Sequence, residues 1–364
     1  MNMNNNKKNN DFKDNEVLES KDNEVLKIAL WGLRGAGKST FLNALFEQFT
    51  MSPTVTENKE GYNVVLIPAD ETFDINNTKA GHELENNLKR RTYGGGTFKI
   101  EKLHAVLKVS KADVIYKKNV MFQDIPGGRV RDESLEDTAK ETEKKLSDDS
   151  KQIEDYIKNS DILYIVVDAN SLLEDNIIKC QNDVGADILN AICYGLFEEQ
   201  KKIGCGTKIL FLLTKIDQME DKIKGYKKDG IKKEYEKYKG YLDDIKLKNR
   251  VKGIFGGTFL CLKERGYNVD VISVISVGDI KERKNIEYAL INPVKGKIRE
   301  QYNFLTENHD KKNAEKSNEL CLTKLFDRKR KNDLKVLEQE YNMKKENFEK
   351  FLSIMDKDFI VNKN

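Results

Sequence analysis

Short, mostly apolar runs alternate with amphipathic stretches until Asn292-Pro293, where the runs stop. Val25–Trp31, Ile162–Asp168, Lys208–Leu213 and Asp270–Val277 are continuous enough to predict strands buried on both faces, the pattern of a parallel sheet. Leu103, Ala105, Leu107 and Val109 alternate with Lys102, His104, Val106 and Lys108, which predicts a strand with one wetter face and a solvated His104. Val120-Met121-Phe122 reads as its hairpin partner, with the turn at Lys117-Lys118-Asn119 or, alternatively, within Ser110 to Asp113. Helical spacing fills the intervals: Thr40–Phe46 directly after the first strand, then Arg131–Asn159 and residues 172–202. Such alternation predicts an α/β fold, a mostly parallel sheet with helices on both faces.

The ends and one internal segment depart from this rhythm. Residues 1–24 are rich in Asn, Lys, Asp and Glu and are expected to be disordered; Asp14-Asn15-Glu16-Val17-Leu18 recurs there as Asp22-Asn23-Glu24-Val25-Leu26, a short duplication in a low-complexity tail. Residues 50–96 are polar, hold Tyr62–Pro68 and a helical stretch from about Ala69 to Arg90, and read as an insertion or a mobile loop. The insertion ends in Tyr93-Gly94-Gly95-Gly96-Thr97, either a hinge delivering the threonine or a turn before the next strand. Residues 300–364 carry Leu322, Leu325, Phe326, Leu334, Leu337, Tyr341, Phe348, Phe351, Leu352 and Met355 at helical spacing, a helical extension expected to pack on the core. The chain thus divides into a tail (1–24), a main domain (25–299) and the extension.

Composition narrows the function classes. In 364 residues, 64 basic and 61 acidic side chains nearly cancel to +3, a balance that gives no footprint for DNA. Tyr226, Tyr235, Tyr238 and Tyr241 stand among lysines between Asp221 and Arg250, but Glu234, Glu236, Asp243 and Asp244 dilute the charge, so a solvated helix is preferred over an RNA surface. Cys180, Cys193, Cys205, Cys261 and Cys321 are scattered without metal-ligand spacing and read as reduced thiols. With no apolar run of membrane-spanning length and no signal-peptide core, the expected location is the cytoplasm.

Three short strings carry the chemistry. Gly32-Leu33-Arg34-Gly35-Ala36-Gly37-Lys38-Ser39-Thr40 fits G-x-x-x-x-G-K-[ST] between a strand and a helix, so backbone amides and the helix N-terminus face an anion. Lys38 supplies a cation for β- and γ-phosphate oxygens, and Ser39 an oxygen for Mg²⁺. Asp124-Ile125-Pro126-Gly127 matches D-x-x-G at a strand end, with Asp124 placed toward the Mg²⁺ shell and Gly127 toward a γ-phosphate. Thr214-Lys215-Ile216-Asp217 closes another strand. A carboxylate at Asp217 accepts guanine N1–H and N2–H together, donors that adenine lacks; Lys215 lays its stem along the base and Thr214 braces the loop. Ser276, at the end of the last strand, starts a loop whose amide reaches guanine O6.

In this order the strings resemble the Ras-like, TRAFAC-class P-loop GTPases over residues 25 to about 285. The DIPGG wording, the insertion and the NP after the last strand also look like bacterial TRAFAC GTPases found beside defence and conflict genes, where any paired GTPase would be a second chain. The resemblance implies GTP/GDP and Mg²⁺ as ligands, with Lys38 and the loop amides on phosphate, Ser39 on Mg²⁺, Asp124 on that ion through water, Gly127 sensing the γ-phosphate and Asp217 selecting guanine. It also implies a threonine that closes over Mg²⁺: Thr97 first, with Thr54 and Thr56 behind it. Many Ras-like enzymes place a glutamine after D-x-x-G to orient water, and this chain has Gly128. Arg129 and Arg34 are the nearby cations, and slow intrinsic hydrolysis stimulated by self-association or a partner is the expectation. A GTP-dependent scaffold with negligible hydrolysis and a nucleotide-regulated RNA or ribosome factor are the alternatives.

Overall fold

The computed structural model describes residues 25–50, 61–68, 101–112, 114–125, 155–196, 207–267, 269–279, 282–319 and 328–355. Its strands are β1 (Leu26–Trp31), β2 (Asn63–Pro68), β3 (Glu101–Lys111), β4 (Val114–Asp124), β5 (Ile162–Asp168), β6 (Lys208–Thr214) and β7 (Val269–Ser273). They form one seven-stranded sheet in the order β2-β3-β4-β1-β5-β6-β7. Every pairing from β4 through β7 is parallel, while β2–β3 and β3–β4 are antiparallel. The mostly parallel sheet expected from the continuous apolar runs is present, and part of the predicted insertion, residues 63–68, adds the outermost strand.

Helices cover both faces, each face with its own core. On one side α1 (Lys38–Thr50), α8 (Ile286–Glu319) and α9 (Arg328–Met355) bury Phe41, Leu45, Ile298, Phe351 and Leu352 against the even-numbered side chains Ile28, Leu30, Phe122 and Tyr164. On the other side lie α2 (Ile177–Val184), α3 (Ala186–Leu196), α4 (Ile216–Lys228), α5 (Lys232–Tyr238), α6 (Asp244–Ile254) and α7 (Gly256–Glu264). These helices pack Leu189, Met219, Val251 and Phe255 on Leu163, Ile165, Phe211 and Leu213. Strand side chains alternate between faces, so burial of both faces explains why β5 and β6 show no polar alternation.

Several elements differ from the sequence pattern. The β3–β4 reversal falls between the paired residues Lys111 and Val114, with Ala112 at φ 48°, so the second of the two possible turns is the real one. Lys117-Lys118-Asn119 continues β4, paired with Lys108, Leu107 and Val106. Lys117, half-buried, and Asn119, exposed, fall on the wetter face of β4, whereas Lys118 is buried on the face that carries Tyr116 and Val120. Residues 172–202 do not make one helix: a 3-10 turn (Ala169–Leu173) precedes α2, and Gly185, left-handed at φ 70°, ends α2 before α3 begins. The 221–250 stretch is likewise broken into α4, α5, a 3-10 turn (Lys239–Leu242) and α6. The helix expected from about 69 to 90, most of 131–159, and Leu322, Leu325 and Phe326 lie outside the described residues.

Pro293 sits inside α8. A regular helix would bond the carbonyl of Ala289 to the amide of residue 293, which proline lacks. The Tyr164 hydroxyl of β5 donates to that carbonyl instead, at 2.6 Å, in the buried core. Lack of an amide within the helix is thereby offset by a tertiary hydrogen bond, and burial pushes the Tyr164 hydroxyl pKa far up. The extension packs on the core as expected. Phe351 of α9 meets Tyr116 of β4 with ring centroids 4.7 Å apart, and α8 crosses residues 299 and 300 without a break.

Candidate functional site

The predicted strings converge at the C-terminal ends of β1, β4, β5 and β6, where parallel sheets place their ligand sites. As β1 ends, Gly32 passes so close to β5 that a Cβ there would stand 2.4 Å from the Val166 carbonyl oxygen. Only glycine fits such an approach. Arg34 and Gly35 form the exposed outer turn and Ala36 is buried. Gly37, at φ +92°, turns the chain into α1 beside Thr214, whose Oγ1 lies 3.2 Å from where a Cβ would be. The first turn of α1 carries Lys38, Ser39 and Thr40 and no acidic side chain, so its free amides and dipole stay available to an anion.

Lys38 is 6% exposed, and its ammonium donates to the Gly32 carbonyl at 2.8 Å and the Leu33 carbonyl at 3.3 Å. Burial pushes its pKa below the ordinary value, and the Asp124 carboxylate pulls it part of the way back. Ser39 Oγ donates to Asp124 Oδ2 at 2.9 Å. Asp124 ends β4, paired with Leu30 of β1, and is buried. One hydroxyl and one carboxylate thus meet beside a phosphate-type loop. That hard-oxygen donor set fits Mg²⁺, which takes one or two protein oxygens and completes its shell with waters and phosphates.

The base side of the site is built by β6 and β7. Thr214 Oγ1 lies 2.5 Å from the Ala36 carbonyl and 3.2 Å from the Val167 carbonyl, so its single proton is shared between two acceptors with the shorter contact on the P-loop. Lys215 adopts a left-handed conformation at φ 56°, and its ammonium pairs with Asp168 Oδ2 at 2.6 Å. Asp168, at the end of β5, also accepts the Asn170 amide at 2.9 Å. Sequence reasoning gave Asp168 no role, although an acid ending a strand beside the Thr214–Asp217 strand was the available signal. Asp217 lies half-buried in the first turn of α4. The Val274 amide donates to the Leu213 carbonyl at 2.8 Å, which continues the β6–β7 pairing one residue past β7, and Ser276 follows two residues on. Ser276 Oγ is buried without a hydrogen-bond partner among the described residues.

Among the predicted residues, Gly32, Arg34, Gly35, Ala36, Gly37, Lys38, Ser39, Thr40, Asp124, Thr214, Lys215, Asp217 and Ser276 are placed by the fold at this end of the sheet. Thr97, Thr54, Thr56, Gly127, Gly128 and Arg129 lie outside the described residues.

Residues 27–192 match the family model described as 50S ribosome-binding GTPase. This segment is therefore similar to P-loop GTPase domains. The match contains the P-loop and D-x-x-G strings and ends before Thr214. No curated protein matches the chain significantly. Similar solved structures include the GTPase-like domain of Saccharomyces cerevisiae Ski7 bound to GTP, at 16% identity and a TM-score of 0.34, covering 70% of this chain and 43% of that one. The SRb-GTP/SRX signal recognition particle receptor complex of Chaetomium thermophilum gives 14% identity and a TM-score of 0.38 over 72% of this chain and 99% of that one. This chain therefore spans less than half the length of the Ski7 chain it matches. No helix among the described residues is long and apolar enough to cross a membrane.

Proposed function

We propose that this GTPase is a conformational switch that holds Mg²⁺ and GTP across the P-loop and hydrolyses GTP slowly alone and faster in a self-assembled or partner-bound state. The observation that carries the reading is the 2.9 Å contact between Ser39 and Asp124, which joins the P-loop hydroxyl to the D-x-x-G carboxylate across two adjacent parallel strands. In the proposed roles, Lys38 and the amides of residues 35–40 hold the β- and γ-phosphates, and Ser39 and Asp124 hold Mg²⁺ directly and through water. The metal, when bound, would neutralise charge developing on the phosphate oxygens. Thr214 keeps the loop in shape, Lys215 flanks the base, Asp217 takes its N1–H and N2–H, and the backbone at Ser276 meets O6. Thr97 is the proposed closing threonine, and Gly127 the γ-phosphate sensor.

Gly128 leaves water positioning to another group. Arg34, exposed on the outer turn of the loop, and Arg129 are the candidate cations toward the transferring phosphate, in this chain or across an interface with a second GTPase copy. The RNA reading finds less support. Tyr226, Tyr235 and Tyr241 pack against the core and Tyr238 is buried, so these rings are not presented for base stacking, and the ribosome named in the family description is not carried over to this chain.

Mg²⁺-dependent GTP hydrolysis measured across a wide range of protein concentration tests the proposal. Specific activity that rises with concentration is expected for completion across an assembled interface, and a slow, flat rate for a switch awaiting another partner. Fast turnover independent of concentration would contradict the switch, and GTP binding without any turnover would leave a scaffold.

A further inference from the structure

The loop that carries Ser276 is closed on itself and then tied to the helix of the phosphate side. Ile275 and Lys284 exchange both backbone hydrogen bonds, each at 3.2 Å. Within the loop, Glu282 Oε2 accepts the Asp279 amide at 3.1 Å, and Gly278 takes φ +82°. At the point of closure Arg283 leaves the loop and crosses to α1. Its Nη1 donates to the Ala44 carbonyl at 3.1 Å, and its Nη2 pairs with the Glu47 carboxylate. Asn43 Nδ2 donates to the other Glu47 oxygen at 3.1 Å, which fixes the carboxylate. The Arg283 side chain is 9% exposed and Glu47 21%, so this is a largely desolvated pair and not a surface bridge of little worth.

We infer that Arg283 and Glu47 are positioning residues for base recognition: together they set the distance between the Ser276 loop and the phosphate cradle at the start of α1, and with it the preference for guanine over adenine nucleotides. The inference rests on the proposed assignment of Asp217 and Ser276 to the base. A nucleotide gripped at both ends gains from both grips only when their spacing is held to a fraction of an ångström. The sheet fixes β6 and β7, but the loop beyond β7 projects past it, and Arg283 anchors that loop to the element bearing Lys38 and Ser39. Arginine suits the task because its planar fork serves a carbonyl and a carboxylate together, which an ammonium cannot do in the same geometry. Lys38, Thr214 and the loop amides take no part in the tether, so the phosphate cradle survives its loss.

The test is displacement of a fluorescent GDP analogue from the full chain by GDP and by ADP, for the unsubstituted protein, Arg283→Lys, Glu47→Gln and the double substitution, with a thermal melt of each. Each single substitution is expected to weaken GDP about tenfold while ADP changes less than about twofold, the scale of one charge-assisted hydrogen bond. The double substitution is expected to be no weaker than either single one, because both act on one contact. Equal weakening of GDP and ADP would reduce the pair to a structural prop and overturn the inference, as would GDP affinity unchanged in the variants. Glu47→Gln keeps the side-chain volume and carries the comparison if Arg283→Lys does not fold. A failure of the site assignment is distinguishable, because the unsubstituted chain would then show no preference for GDP over ADP.

Discussion

Lys38 sets burial against charge. Among the described residues its ammonium donates to two carbonyls; burial pushes its pKa below 10.5, and the nearby Asp124 pulls it part of the way back. Between the lowered value and 10.5 the unfolded chain binds the extra proton, so the nucleotide-free protein gains stability as pH rises through that window. A phosphate would return to the ammonium the partner it lacks. Lys38→Met is therefore expected to weaken GDP about a hundredfold, the scale of lost charge-assisted bonds, while leaving the nucleotide-free melting temperature equal or higher and flattening its rise with pH. Fluorescence titration and melts across pH check both halves. The placement of the P-loop string, Asp124 and Thr214–Asp217 at one end of the sheet was legible because each is a contiguous string at a strand end. The Lys215–Asp168 pair and the Arg283–Glu47 tether were not, since they join residues 47 and 236 positions apart through strand register and helix packing.

Among the elements, central strands were the easiest to read because burial on both faces leaves an unbroken apolar run. Boundaries set by one backbone position were harder. A single left-handed glycine divides the apparent 172–202 helix, and the β3–β4 reversal uses Ala112, which gives no turn signal, while the lysine-rich string that suggested a turn lies in the strand. Pro293 illustrates tertiary override of propensity: a residue that should end a helix stays inside α8 because Tyr164 satisfies the carbonyl it orphans. Tyr164→Phe is expected to cost about 1–3 kcal/mol by leaving the Ala289 carbonyl buried and unpaired. Adding Pro293→Ala restores an amide and should recover most of that loss in urea unfolding; additive losses would show that the hydroxyl does not serve this carbonyl.

At the scale of the whole molecule, the two cores make the site depend on segments far from it. The family match ends at residue 192, yet the sheet needs β6 and β7, and its outer hairpin is covered by α9. Tyr302 on α8 donates to Glu349 on α9 at 3.0 Å, and His309 stacks on Tyr341 at 3.6 Å, so the two long helices run as a pair. Apolar residues at helical spacing led to the expectation of an amphipathic extension packed on the core, but not that α8 begins inside the main core and passes unbroken through the expected boundary. Phe351 is fully buried, and Phe351→Ala is expected to destabilise the protein by about 3–5 kcal/mol in chemical denaturation, with the nucleotide preference of the remaining folded fraction unchanged.

The central claim, a guanine-selective P-loop site, is tested most directly by the nucleotide preference of Asp217→Asn. In the proposed role the Asp217 carboxylate accepts from the N1–H and N2–H of guanine, whereas the amide of the substituted side chain would donate and so match xanthine, which carries an oxygen at C2. The unsubstituted chain should prefer GDP to XDP, and the substitution should reverse that preference by about a hundredfold or more. Undiminished GDP binding by Asp217→Asn would contradict the account.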